Sequence, residues 1–473
     1  MSRSTFMRTI PNVLLVIYFI ALLYIVIHYY CLLFGSLQRN DHHPWEDVLS
    51  DCKVVDFFNV YNSGLLAREC SIHHLDIYDA KVQMESMDRV LSQDPIKFSQ
   101  PFFMTYPPTF FTLSSPLSYL TLEHAWLAWI VFGIMISAIS VWYLLKSICA
   151  SWKVSLLAAT AFLASLPTVL GCVQGQPAFI LLPVLVLIFS LMQGRRSVGC
   201  GLATSLFTFK PQHTIPIFIA GLVTGRSRYL IGFSVGLFIL LSITALQVGL
   251  DNLLRFPHGV SQDFNSQMGV DRMIMQNVRG QLLSIAGTNL DTWWTTAFSI
   301  GCFVIASLFI GWYAGRIQQE SARSFRLWAS ITILLMLTCS LHTQQQDYML
   351  VVLPCIYFWH LLEDCKPAPA TKCLKFLILI FPLWSWLGYW RGFMSRQPAR
   401  VYQEVLYYFM PALDSLGLWQ PLMKPLMSMR PIVSPIIAAF QPDFLWAVAV
   451  LVLAFIVFGT EIKRSLRLQT QNT

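Results

Sequence analysis

Residues 195–228 read RRSVGCGLATSLFTFKPQHTIPIFIAGLVTGRSR. Arginines close both ends, and the apolar run between them is interrupted once, at Thr208–His213, with Lys210 and Pro211 in mid-run. A bilayer's hydrocarbon core is about 30 Å thick and takes about 20 helical residues to cross. The run is too long for one crossing and too short for two, and basic flanks belong on the same side of a membrane. Two half-length helices meeting at Lys210-Pro211 satisfy both constraints. Non-helical backbone at that depth is tolerated only when it is buried in protein or lines a wet cavity. Lys210 is therefore expected in a polar cavity, close to the outer surface or reaching towards it. The plainer reading is a lysine that snorkels to an interface, and the mid-run position counts against it.

The rest of the chain agrees. Of 473 residues, 56% are hydrophobic and 12% charged, with mean hydropathy +0.58. Soluble domains carry about 25% charged residues. The fold class is an all-α polytopic membrane protein, one integral domain over 1–473, with about 10–12 transmembrane segments and extracytoplasmic loop helices. The net charge of +8 lies mostly between apolar runs. That is the positive-inside pattern and excludes a nucleic-acid partner. Arg3 and Arg8 precede a first helix at 12–33, too long and lacking a small-residue cleavage site for a signal peptide. Both termini are then cytoplasmic, the last helix ending at Lys463, Arg464 and Arg467. The external segments are 36–121, 251–292 and 391–442. In the third, Arg391, Arg396, Arg400, Lys424 and Arg430 break the positive-inside pattern; an interfacial stretch on anionic lipid head groups accounts for them. The absence of an Asn-x-Ser/Thr sequon fits a bacterial plasma membrane protein. Of the scattered cysteines, Cys52 and Cys70 share the first external segment, either as a pair or as two thiols.

On this topology the polar motifs gather on one side. The stretch 53–78, KVVDFFNVYNSGLLARECSIHHLDIY, opens the first external loop with Asp56 and Arg68. Tyr106-Pro-Pro, Gln174-Gly-Gln176, Gln276-Asn277 and His342–Asp347 fall at the same ends of helices. Such a set suits transfer of a sugar from a lipid-linked phosphosugar. A carboxylate, Asp56, takes the proton of the acceptor hydroxyl. Lys210, His342 and Arg68 meet the negative charge growing on the departing phosphate. Tyr106, Gln176, Asn277 and Asp347 are the candidate substrate-binding residues. Each has a structural alternative: Asp56 as a helix cap, Tyr106-Pro-Pro as a rigid helix start, Asn277 as a loop cap. His73 and His74 are adjacent and lack a third ligand at metal spacing, so no metal site is expected. No cofactor is expected beyond the lipid-linked sugar phosphate as co-substrate. A different class, a lipid or sugar transporter or flippase, would also show a broken helix at a polar residue. It would place its polar groups at the midplane and carry an inverted repeat, and neither is seen.

These residues resemble glycosyltransferase family 87, the polyprenyl-phosphate-mannose-dependent mannosyltransferase-like family of GT-C membrane transferases. The resemblance rests on Asp56-Phe-Phe-Asn-Val-Tyr61 with Ser63-Gly64, Asp76-Ile-Tyr-Asp79, Tyr106-Pro-Pro108 with Pro116-Leu117, Ala125-Trp126, Gly175-Gln176, Lys210-Pro211, Asn277 and Ser340 to Pro354. It implies a GT-C helical bundle and a catalytic Asp in the first external loop, which falls on Asp56. It also implies a polyprenyl-phosphate sugar donor, a lipid or glycan acceptor, membrane lipids as surroundings and inversion at the anomeric carbon. Two positions depart from the family: Pro177 where Asn is frequent after Gly-Gln, and Leu341 where Ser-Pro is frequent. They bear on the donor sugar more than on the reaction class.

Overall fold

The chain is mostly helical: a computed structural model describes residues 16, 18–27, 55–91, 106–265, 275–286, 293–317, 321–386 and 442–467. No strand occurs among these residues. The helices are α1 (Tyr18–Ile27), α2 (Val55–His73), α3 (Ala80–Leu91), α4 (Pro108–Ser114), α5 (Leu122–Ser147), α6 (Trp152–Ala164), α7 (Leu166–Gln174), α8 (Ala178–Gln193) and α9 (Ser197–Ser205). Then follow α10 (Pro211–Val248), α11 (Leu250–Asn265), α12 (Val278–Ala286), α13 (Trp293–Ile317), α14 (Ala322–Cys339), α15 (Val352–Glu363), α16 (Pro369–Trp384) and α17 (Pro442–Arg467). Cys52, the N-terminal arginines and all but the last residue of the expected interfacial stretch 391–442 lie outside the described residues.

Among the described residues five helices are long and apolar enough to cross a membrane, and a sixth span is counted if the bent pair α6–α7 is one crossing. The protein is a multi-pass membrane protein. Its lipid-facing surface shows in the side chains: Leu230, Ile231, Val235, Phe238, Ile239 and Leu246 of α10 are exposed. A soluble protein would not leave such a stripe in water. Fewer helices cross alone than the hydropathy pattern suggests, because several apolar segments stop short. Helix α8 has 16 residues and α15 has 12, the latter preceded by a 3-10 turn at Gln345–Val351.

The broken pair expected from 195–228 is present. Helix α9 continues as a 3-10 turn, Leu206–Phe209, and ends at Lys210, whose φ −121° and ψ 79° leave the helix. Pro211 restarts it as α10. Proline suits this first position because it has no N–H to satisfy and its φ is preset. At Arg226 (φ 44°, ψ −131°) the helix is interrupted again, and the chain reverses. At about 1.5 Å per residue in α-helix and 2.0 Å in 3-10, each arm of this hairpin reaches roughly 20 Å. The part of α10 after Arg226 reaches about 33 Å, a full crossing. The Phe218 ring lies tilted against Phe233 with centroids 4.6 Å apart, so the second arm packs antiparallel to that crossing.

Close packing makes the hairpin rigid. A Cβ on Gly232 would overlap Val198 O, and one on Gly201 would overlap Tyr229 O. Backbone meets backbone there. The other bent pair, α6–α7, turns by 58° at Ser165, whose ψ is 138°. The groups freed by this bend are satisfied from α16: Leu166 N donates to Ser385 Oγ (3.0 Å) and Trp386 Nε1 donates to Ala164 O (2.9 Å).

The stretch that opens the first external segment forms the 19-residue helix α2, a helix where loop helices are expected, and every residue from Phe57 to Ala67 is buried. Its polar residues mislead, because Asn59, Asn62 and Ser63 are enclosed by protein rather than facing water. Cys70 is buried as well, its Sγ donating to Val248 O at 3.1 Å.

Replacing Gly232 by Ala is expected to lower the thermal unfolding temperature in detergent, at a cost of about 1–3 kcal/mol. Gly301→Ala, where a Cβ meets nothing within 4 Å, leaves it unchanged or raises it.

Candidate active site

The hairpin tip delivers Lys210 into the protein. Its backbone carbonyl accepts from His213 N (3.0 Å) and Thr214 N (3.1 Å), which closes the first turn of α10. Its ammonium is 6% exposed and ion-paired with Asp347, which is fully buried. Asp347 lies in the 3-10 turn that joins α14 to α15. Its Oδ2 accepts from Gln344 N (3.1 Å), so the carboxylate caps its own turn while holding the lysine. His213 Nε2 lies 3.8 Å from the same Oδ2. Burial by itself raises the carboxyl's pKa; Lys210 and His213 outweigh it and hold the group below the usual carboxylate range.

A second segment locks this arrangement. Gln276 N donates to Thr343 O (2.8 Å), and Tyr348 Oη donates to Gln276 O (2.8 Å). Asn277 Nδ2 donates to Ser340 O (3.0 Å), while its Oδ1 accepts from Gly280 N (2.9 Å). The asparagine therefore caps α12 and ties it to the end of α14, so both ends of its amide are used within the chain. Arg279, two residues on and buried, places its charge near His342. Gln212 Nε2 reaches His342 O at 3.4 Å. Burial pushes the His342 imidazole down to about 4; Asp347 opposes this, and Lys210, His213 and Arg279 add to it. The same surroundings disfavour the charged form of the ring.

The remaining candidates sit around this cluster. Tyr106 stacks on Phe110 (4.4 Å), which lies against Phe209 (5.7 Å), the neighbour of Lys210. Tyr78 Oη donates to Tyr106 O at 2.9 Å. Gln176 is buried behind Gly175, whose φ of 66° is left-handed. A Cβ on Gly175 would overlap Phe57 of α2, and Trp129 Nε1 donates to Gly175 O (2.8 Å). The Gly-Gln turn is therefore pressed against the first turn of α2, where Asp56 stands; the side chain of Asp56 is outside the described residues. Arg68 lies twelve positions along α2, about 18 Å down the axis, donating to Ser118 O and lying over the Tyr119 ring.

The structure thus brings together Lys210, Asp347, His342 and Asn277, reaches Tyr106 through Phe209 and Phe110, sets the Gly175-Gln176 turn against Phe57 of α2, and holds Arg68 at Ser118 and Tyr119. It adds His213 and Arg279. His213 was legible in principle: it is three residues after Lys210, hence on the same helix face. Lys210 and Arg279 are both buried cations, the residue types that meet a phosphate. Among the described residues no three His, Cys, Asp or Glu side chains are placed to hold a metal ion.

Removing the lysine alone strands a buried carboxylate. Lys210→Met is expected to cost about 3–5 kcal/mol of stability, and adding Asp347→Asn should restore much of it, as read by thermal unfolding in detergent. A second expectation concerns pH. Because the folded pKa of His342 lies below its ordinary 6.5, the unfolded chain takes the proton first. Stability from this group is full above about 6.5 and falls as pH drops towards 4. His342→Gln should flatten the unfolding temperature over that window.

The model of glycosyltransferase family 87 matches residues 103–340, half of the chain. The match takes in Tyr106, Gln176, Lys210 and Asn277; Asp56 precedes it, and His342 and Asp347 follow it. No curated protein matches this chain.

Proposed function

The chain belongs to glycosyltransferase family 87, a membrane glycosyltransferase, and on that premise we propose that it moves a sugar, mannose in the first instance, from a polyprenyl-phosphate donor to a lipid or glycan acceptor on the extracytoplasmic face of a bacterial plasma membrane. The observation that carries this reading is the buried Lys210–Asp347 pair at the tip of a half-length hairpin, with Arg279, His213 and His342 around it. Buried cations within a membrane bundle suit the phosphate of a lipid-linked substrate better than that of a soluble one.

An apolar groove alongside supports a lipid donor. Phe162, Tyr348, Val352, Trp359 and Ile378 line it, together with Tyr18 of α1. Tyr348, which lines the groove, follows Asp347 directly in the chain, and such a groove suits a prenyl chain. The same bundle architecture fits the GT-C class.

In the proposed reaction the acceptor hydroxyl gives its proton to the Asp56 carboxylate, and its oxygen attacks the anomeric carbon. The bond from that carbon to the phosphate oxygen breaks, with inversion. Polyprenyl phosphate leaves with the electron pair, and Lys210 and Arg279 meet the charge that develops. His342 donates a hydrogen bond. Asp347 keeps the lysine aimed while the phosphate is absent and shares it when the phosphate binds.

Purified protein in detergent, given short-chain polyprenyl-phosphate mannose and a membrane lipid extract, should form a labelled glycolipid. Asp56→Asn should lose activity by about a thousandfold with unfolding temperature unchanged. Normal turnover in that variant sinks the assignment of the base. The second reading, a lipid or sugar transporter, is favoured by the helix break at Lys210. It predicts labelled substrate accumulating in proteoliposomes with no new glycosidic bond.

A further inference from the structure

A polar cavity of about 260 Å³ lies at the other end of the hairpin. Gln193, Arg195, Ser197, Thr224, Tyr229 and Ser321 supply its polar lining. Thr224 comes fourteen positions after Lys210, about 21 Å along α10. The cavity and the candidate active site therefore sit at opposite ends of one hairpin arm.

The local sequence builds this cavity around one tyrosine. Gly221 and Gly225, a helical turn apart, both line it. A Cβ on Gly225 would come within 2.6 Å of the Tyr229 Cβ, and one on Gly221 within 2.8 Å of its hydroxyl oxygen. The two glycines thus let Tyr229 pack against the hairpin, where it is 1% exposed. Its hydroxyl is buried and has no hydrogen-bond partner among the described residues. Burying a hydroxyl unpaired is costly, and phenylalanine would fill the same space without that cost.

The surroundings favour an anion. Arg195 brings a cation to the lining, held on a tight turn by Arg195 N donating to Met192 O (3.0 Å) and Arg196 N to Leu191 O (2.9 Å). Two helices begin at the cavity. Ser197 opens α9, which no side chain caps, and Ala322 opens α14. Helix N-termini present N–H groups and partial positive charge to such a ligand. No carboxylate lines the cavity among the described residues. The flanks fit a lipid. Arg196, Arg226 and Arg228 are exposed on the same turns, and so are Val198, Leu222 and Val223. Cations above an apolar surface meet both parts of an anionic phospholipid.

We propose that this cavity binds the phosphate of an anionic membrane lipid, with Arg195 and the Tyr229 hydroxyl as its ligands, and that the bound lipid braces the base of the hairpin. The site is separate from the transfer reaction and stands or falls without it.

The test is the unfolding temperature of the full chain in delipidated detergent, titrated with short-chain phosphatidylglycerol at constant ionic strength. Phosphatidylcholine of the same chain length and inorganic phosphate are the comparison arms. Phosphatidylglycerol should raise the unfolding temperature saturably, as a ligand of the folded state does, and phosphatidylcholine should not. Tyr229→Phe and Arg195→Gln should each raise the half-saturating concentration about tenfold. Without lipid, Tyr229→Phe should unfold at the native temperature or above it, because it removes the unpaired hydroxyl. Equal responses to the two lipids overturn the proposal. So does a lowered unfolding temperature of lipid-free Tyr229→Phe with its lipid response unchanged, which would mark a purely structural tyrosine. Inorganic phosphate as potent as phosphatidylglycerol overturns the lipid and assigns the cavity to free phosphate.

Discussion

A buried charge pair is the constraint on which the site depends. Lys210 and Asp347 are 137 positions apart in sequence, and each makes the other's burial possible. A lone buried ion would have to lose its charge or draw in water. The pair requires the hairpin to stop where it does, because the lysine must sit where a straight helix would have carried it past. It also requires the α14–α15 connection to be a tight 3-10 turn, since that geometry lets one carboxylate cap its own backbone and face the hairpin. The short α8 and α15 follow from the same requirement: backbone that builds a buried site leaves the helix early.

The sequence shows much of this at Lys210 and little of it at α2. Between 195 and 228 the two pairs of arginines, the length of the run and Lys210-Pro211 together exclude a straight helix, so the hairpin is legible from spacing alone. At 53–78 the same kind of inference stops short. Asn59, Asn62, Ser63 and Arg68 lower the hydropathy below that of a spanning helix, and the segment looks exposed. Neighbouring helices enclose it instead, and hydropathy has no term for polar groups that a protein, rather than water, surrounds.

The site residues divide in the same way. Lys210, His342 and Asp347 stand out because ionisable groups are rare beside apolar runs, and they do converge. What a sequence cannot supply is how each group is used. Asn277 looks like a substrate ligand until both ends of its amide are found to be occupied. His342 looks like a cation, a form its surroundings disfavour. Arg68 has the right chemistry, but α2 carries it to Ser118 and Tyr119; only the helical course of that segment shows where it lands. His213 was overlooked because its significance depends on which face of α10 meets Asp347.

The bend between α6 and α7 has a consequence for how the protein is made. Leu166 N finds its acceptor on Ser385, 219 residues later. At roughly 5–20 residues per second of translation, the ribosome needs about 10–45 seconds to supply it. Through that interval the bent segment holds an unmet backbone donor at the membrane, where such groups are poorly tolerated. Insertion of α6–α7 is therefore provisional until α16 arrives, with the segment retained near water or sheltered by the insertion machinery. The first half of the chain is completed by the second, and a nascent chain cut short before Ser385 is a substrate for quality control rather than a smaller version of the same bundle.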